Sequence, residues 1–192
     1  MNYLISRRAM IDSQLRTSGI NEAFVLERMG TVPREDFVPD GVKSIAYMDR
    51  ILPLGDGRFL ASPVAHGRML AEAAPKSTDR ALVIESGTGY LAELLRPLVA
   101  SVDTLDASEL ARGKPKLKDF DLVLVDGALG DVPKSLVKTL AENGRVVSGI
   151  IDGDIPRLAV GRRTGDRIAF DMVDDTALPA LPMFAQAKEW SF

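Results

Sequence analysis

Arg80-Ala81-Leu82-Val83-Ile84-Glu85-Ser86-Gly87-Thr88-Gly89-Tyr90 decides the fold. Four apolar residues, 81–84, form a short run of the kind a strand buried on both faces requires. Gly87 and Gly89 then supply the backbone freedom for a tight turn, and a helix follows from about Leu91. A strand, a glycine turn and a helix in that order form the phosphate- or nucleotide-binding corner of a doubly wound sheet. The corner is incomplete, because Glu85 stands where the fingerprint has its first glycine.

Downstream the same alternation continues. The apolar pattern predicts a helix over 91–98, a second strand over 101–106 and a third over 121–125 that ends at Asp126. A helix over 132–141, stopped by Gly144, leads to a fourth strand over 145–151. Segments 158–162 and 167–173, joined through Thr164-Gly165-Asp166, make a terminal hairpin with a solvated tip. The fold class is therefore α/β: a Rossmann-like, mostly parallel sheet with a C-terminal antiparallel hairpin. Between Asp106 and Asp121 the chain is too short for a helix, a further strand and their loops, since one βα crossover takes about 10–12 residues. One outer strand is expected to be missing, which leaves the second strand as a bare edge.

Upstream lies a helical extension. Ile5, Met10, Ile11 and Leu15 recur at helical spacing over 5–18, with Gly19 as a stop, and Asn21 is a cap candidate for a helix through Met29. Residues 34–39 read as extended or irregular, and a short helix is expected over 42–47. Gly55-Asp56-Gly57 is a hairpin turn between 51–54 and 58–60. Ser62 and Pro63 open the next helix, Ser62 as N-cap and Pro63 in the first turn. This divides the chain into an extension, 1–78, packed on a sheet core, 79–192, as one compact unit. Met10, Met29, Met69 and Leu70 are assigned to the core, and Trp190 and Phe192 to a terminal anchor.

Composition narrows the chemistry. The 192 residues carry 46% apolar and 27% charged side chains and a net charge of −3, so neither nucleic acid nor an anionic membrane is an expected partner. No cysteine excludes disulfides and thiolate chemistry, and a single histidine, His66, excludes a two-histidine metal site. His66, inside a helix, reads as structural or exposed. No signal peptide or span of about 18 apolar residues is present, and a cytoplasmic protein is expected.

Several segments resemble the protein-L-isoaspartate O-methyltransferases, along nearly the whole chain. They are Arg7-Arg8-Ala9-Met10-Ile11-Asp12-Ser13-Gln14-Leu15 with Gly19-Ile20, Val32-Pro33-Arg34-Glu35-Asp36-Phe37-Val38-Pro39, Ala46-Tyr47-Met48-Asp49, and Leu52-Pro53-Leu54-Gly55-Asp56-Gly57. The resemblance implies an S-adenosylmethionine (SAM) methyltransferase sheet with a helical N-terminal extension. It implies methyl transfer to the carboxylate of an isoaspartyl residue in damaged proteins or peptides. Such chemistry needs proximity, orientation and shielding from water more than a metal or a strong base.

The departures from the family pattern lie around the implied cofactor. The family's Val-Leu-Glu-Ile-Gly-Thr-Gly-Ser-Gly-Tyr aligns with 81–90, so Gly87, Gly89 and Tyr90 match and the first glycine falls on Glu85. Glu85 either crowds a carboxylate-bearing ligand, points away, or contacts the ligand's ammonium. Asp106 takes the place of the ribose-binding acid. The family's next helix, strand and adenine-contacting Gly-Asp-Gly turn have no counterpart. Its substrate-loop Ile-Ser-Gln-Pro is Leu60-Ala61-Ser62-Pro63, which makes Ser62 either a hydroxyl donor to the acceptor carboxylate or only a helix cap. Its Thr-Ala-Ala turn is Asp126-Gly127-Ala128, and Asp126 there repels a carboxylate and favours a sulfonium or an amine. Three readings follow: an active isoaspartyl methyltransferase, a relative that has lost SAM and serves as an interaction or regulatory protein, or an active methyltransferase or other binder with a changed ligand. The bare strand edge offers a place for a second copy of the chain.

Overall fold

Two helices begin the chain in the computed structural model, which describes residues 2–85, 87–113, 115–153 and 155–185. Helix α1 (Tyr3–Met10) runs into a π-helical turn over Ile11–Leu15 rather than continuing as α-helix. Its wider spacing is seen in Arg16 N–H bonding Ile11 O (3.1 Å), and the helix end is closed by Gly19 N–H to Arg16 O and Ile20 N–H to Leu15 O (both 3.0 Å). Gly19 ends the helix in a left-handed conformation. Helix α2 (Ala23–Thr31) starts after Glu22, not after the expected cap Asn21. Residues expected to be irregular or helical are 3-10 turns instead, Arg34–Phe37 and Asp40–Ile45. Runs this short, bounded by Pro33 and Pro39, lack the length to nucleate an α-helix.

The hairpin of β1 (Leu52–Gly55) and β2 (Arg58–Leu60) pairs Leu52 with Leu60. Its turn holds Asp56 and Gly57 at positive φ, the backbone a two-residue hairpin turn demands. Helix α3 (Pro63–Ala73) follows with Pro63 in its first turn.

Six strands make the main sheet: β3 (Arg80–Glu85), β4 (Ser101–Asp106), β5 (Phe120–Leu129), β6 (Leu140–Asp152), β7 (Ile155–Thr164) and β8 (Arg167–Asp174), in the order β4-β3-β5-β6-β7-β8. The pairs β3–β4, β3–β5 and β5–β6 are parallel, and β6–β7 and β7–β8 are antiparallel. This is the expected doubly wound sheet with its terminal hairpin. Beyond β4 no further strand pairs among the described residues, so the outer strand is absent as expected. What occupies the short segment is a five-residue helix, α5 (Ala107–Ala111). The exposed Asp103 and Asp106 on β4 put charge on the edge, an ordinary protection against unwanted strand pairing.

The helix expected over 132–141 is shorter, α6 (Lys134–Thr139), and Gly144 lies inside β6 instead of ending a helix. The register slips there: Phe120 faces Leu140, but Leu122 faces Arg145. A Cβ on Gly144 would stand 2.8 Å from Phe120 O, so only glycine allows β6 to pass this close to β5.

Period-2 alternation along β3 divides the core. Ala81 and Val83 face the N-terminal helices, α3 and α4 (Tyr90–Leu95), together with Met10, Leu15, Met29, Met69 and Leu70. Leu82 and Ile84 face α5 and α6. The extension therefore shares a hydrophobic core with the sheet. The second face is completed by the C-terminal segment, whose Leu181 and Phe184 join the cluster. Ala128 N–H donates to Pro179 O (2.8 Å), and Leu181 N–H to Ala128 O (2.9 Å). Trp190 and Phe192 lie outside the described residues.

Candidate active site at the carboxyl end of the sheet

Parallel pairing sets Glu85 opposite Asp106, so the glycine turn and the strand-end acid share one end of the sheet. Gly87 (φ 94°) and Gly89 (φ 75°) are both left-handed, and α4 starts at the next residue. Asp106 caps α5: its Oδ1 accepts the Ser108 N–H at 2.8 Å, which orients the carboxylate. A cavity of about 220 Å³ opens beside it, lined by Asp106, the β1–β2 hairpin tip from Asp56 to Phe59, and the segment from Pro179 to Met183. Arg58 of that hairpin reaches over the turn, with Nη1 3.5 Å from where a Gly87 Cβ would be. The cavity is smaller than the roughly 300–1,000 Å³ of ordinary ligand pockets.

Glu85 neither points away nor projects into open space. It is 8% exposed, and its Oε2 accepts the Gly89 N–H at 2.5 Å. Burial raises its pKa above the ordinary carboxylate value; the Gly89 and Thr88 amides oppose the rise, and Asp126 and Asp106 add to it. A carboxyl whose pKa is raised by folding binds its proton more tightly folded than unfolded. Its ionisation therefore costs stability as the pH climbs out of the ordinary carboxylate range. Glu85→Gln should raise the melting temperature at pH 7, and the advantage should shrink toward pH 4; melts at the two pH values check the sign.

Asp126 is not an open ligand at the strand end. Strand β5 continues past it to Leu129, and Asp126 is 4% exposed with Oδ1 3.0 Å from His66 Nε2. The pairing register of β5 slips between Leu124 and Ala128, and this irregularity turns the carboxylate inward to α3. His66 in turn lies 3.0 Å from Nη1 of Arg34 through Nδ1. A guanidinium only donates, so Nδ1 accepts and Nε2 carries the proton it gives to Asp126. Arg34 is fully buried: Nε donates to Ala46 O at 2.7 Å and Nη2 to Ala61 O, while its Cζ stands 5.0 Å from the Tyr90 ring centroid. Burial lowers the Arg34 pKa from its ordinary value, with Tyr90 and Asp126 opposing. Sequence reasoning missed this chain of three. Its only signals were a lone histidine three residues into a helix and an aspartate after a buried strand.

Ser62 is occupied as a cap: its Oγ accepts the Ala65 N–H at 3.2 Å. His66 is structural, and Met10, Met29, Met69 and Leu70 are core. Among the described residues no group of three or more His, Cys, Asp or Glu is placed to hold a metal ion, and no helix is long and apolar enough to cross a membrane.

A doubly wound sheet with a glycine turn, an acid on the neighbouring strand and a cavity beside that acid has the layout of a Rossmann-like nucleotide-binding fold. Residues 6–109 match the family model Protein-L-isoaspartate(D-aspartate) O-methyltransferase (PCMT). The chain is 34% identical over 197 aligned positions to the protein-L-isoaspartate O-methyltransferase of Koribacter versatilis, covering 90% of this chain and 89% of that one. It is 33% identical to that of Roseiflexus castenholzii, covering 91% of each. The chain belongs to the protein-L-isoaspartate O-methyltransferase family. Among solved structures it superposes on one described as the Plasmodium falciparum enzyme in complex with S-adenosyl-L-homocysteine. The TM-score is 0.73 and the identity 21%, over 94% of this chain and 98% of that one, a likeness of fold.

At its nucleoside end SAM would meet the oriented Asp106 that borders the cavity, without, among the described residues, the outer strand and adenine-contacting turn that follow this acid in the family pattern. At the amino-acid end the fit is altered, since Glu85 sits on the turn.

Proposed function

We infer that this protein is a SAM-dependent protein-L-isoaspartate O-methyltransferase, acting on isoaspartyl carboxylates of damaged proteins. The observation that carries the reading is that one family match, residues 6–109, takes in both the N-terminal segments and the cofactor turn with its strand-end acid. When bound, SAM supplies an activated sulfonium methyl. The work left to the chain is modest. Asp106 accepts the ribose hydroxyls, the glycine turn lets backbone approach the ligand, and the β1–β2 hairpin and the segment around Leu181 wall the cavity against water. An isoaspartyl carboxylate is already a nucleophile, so no general base is required at Ser62 or Asp126. The compartment that suits this reading is the cytoplasm, in keeping with a sequence free of cysteine.

Titration with S-adenosylhomocysteine and a methylation assay on an isoaspartyl peptide test the reading. Asp106→Asn keeps one acceptor oxygen and loses the charge, so affinity should fall about 10- to 150-fold, one charge-assisted hydrogen bond being worth about 1.5–3 kcal/mol. A wild-type protein that binds no S-adenosyl ligand at millimolar concentration would remove this function.

A further inference from the structure

Glu85 is a buried acid that the methyl-transfer chemistry does not use. It ends β3, folds back over four residues, and accepts the amide of Gly89 through Oε2 at 2.5 Å, with the Thr88 amide beside it. Amides exposed by a left-handed glycine turn form a small concavity suited to an anion. In this chain the anion is supplied from within. The charged groups that act on it are two acids, Asp126 on β5 and Asp106 at the end of β4, while Arg58 of β2 reaches over Gly87. An incoming carboxylate therefore meets an occupied amide and a local excess of negative charge. Both count against it in a partly desolvated corner.

We propose that Glu85 is a specificity-determining residue: its carboxylate occupies the Gly89 amide in place of a ligand's, so the site discriminates against the amino-acid end of S-adenosyl ligands and in favour of thioether nucleosides without one. The proposal rests on the function above, because it takes the cavity beside Asp106 to be the nucleoside site. It differs from the two other positions open to a glutamate here. If it pointed away, it would leave affinity unchanged. If it bridged to the ligand's ammonium, it would strengthen binding.

The experiment is calorimetric titration of the full chain with two probes, S-adenosylhomocysteine and 5′-methylthioadenosine, which share the nucleoside and differ in the amino-acid end. The wild type should bind methylthioadenosine at least as tightly as S-adenosylhomocysteine. Glu85→Gly should tighten S-adenosylhomocysteine tenfold or more and move methylthioadenosine less than twofold. Glu85→Gln keeps the side chain's size but not its charge. It should give a severalfold gain for S-adenosylhomocysteine alone, and it decides the matter should the glycine variant not fold. Equal affinities in wild type and variants, or weaker S-adenosylhomocysteine binding on removal of Glu85, overturn the proposal while leaving the methyltransferase reading intact. Failure of the wild type to bind S-adenosylhomocysteine at millimolar concentration removes that reading, and the proposal with it.

Discussion

Arg34→Leu should destabilise the protein by about 3–5 kcal/mol, the usual cost of removing one partner from a buried ionic network. The guanidinium is wholly enclosed and serves three acceptors at once: Ala46 O, Ala61 O and His66 Nδ1. Leucine fills part of the volume and satisfies none of them. It also takes from the buried Asp126 the compensating charge of the guanidinium, leaving it the His66 Nε2 hydrogen bond. A domain stable by about 5–15 kcal/mol loses a large part of its margin to such a change. Lysine is no remedy. It keeps the charge but lacks the fork that reaches three separate acceptors, so Arg34→Lys should recover only a minor share. Urea unfolding curves give both values, and an Arg34→Leu midpoint within error of wild type would mean that the network adds nothing to stability.

The Arg34 network marks the boundary between what is legible in the sequence and what is not. Strand β4 is legible to the residue, from Ser101 to Asp106, because a period change and an acid mark its ends. The Ser62–Pro63 helix start is legible for a local reason, since cap and first turn are set by neighbouring residues. The missing outer strand follows from length alone. Contacts across 32 and 60 positions, from Arg34 to His66 and from His66 to Asp126, leave no periodic trace. Residue types alone therefore present Asp126 as an open strand-end acid, and its partner as an ordinary helix residue. Glu85 stands out in the sequence as the departure in the turn. Its direction depends on a backbone that curls to present Gly89, which residue types do not specify. Gly144 reads as a helix stop because glycine serves both that role and close strand approach. Only the register of β5 against β6 separates the two.

The segment after β8 gives the second large effect. A Cβ on Gly127 would lie 2.6 Å from Leu181 Cγ and 2.8 Å and 3.0 Å from the two methyl carbons, closer than packed carbons approach. Gly127→Val therefore cannot coexist with the seated segment. Freeing it returns Leu181 and Phe184, each 4% exposed, to water. At about 1.5–3 kcal/mol for each of the two apolar side chains, the loss is about 3–6 kcal/mol. The amides of Ala128 and Leu181, bonded across this junction, should lose protection from hydrogen exchange. The segment also walls the cavity beside Asp106, so nucleoside binding should weaken in the same variant. A double-mutant cycle separates this contact from general damage to β5. Leu181→Ala alone costs about 2–5 kcal/mol as a truncated core residue, yet combined with Gly127→Val it removes the atoms that clash. The two losses should then fall well short of adding, by about 1 kcal/mol or more. Strict additivity would mean that the Gly127→Val change acts on the strand itself, and that the close approach of Leu181 to Gly127 is not what seats the segment.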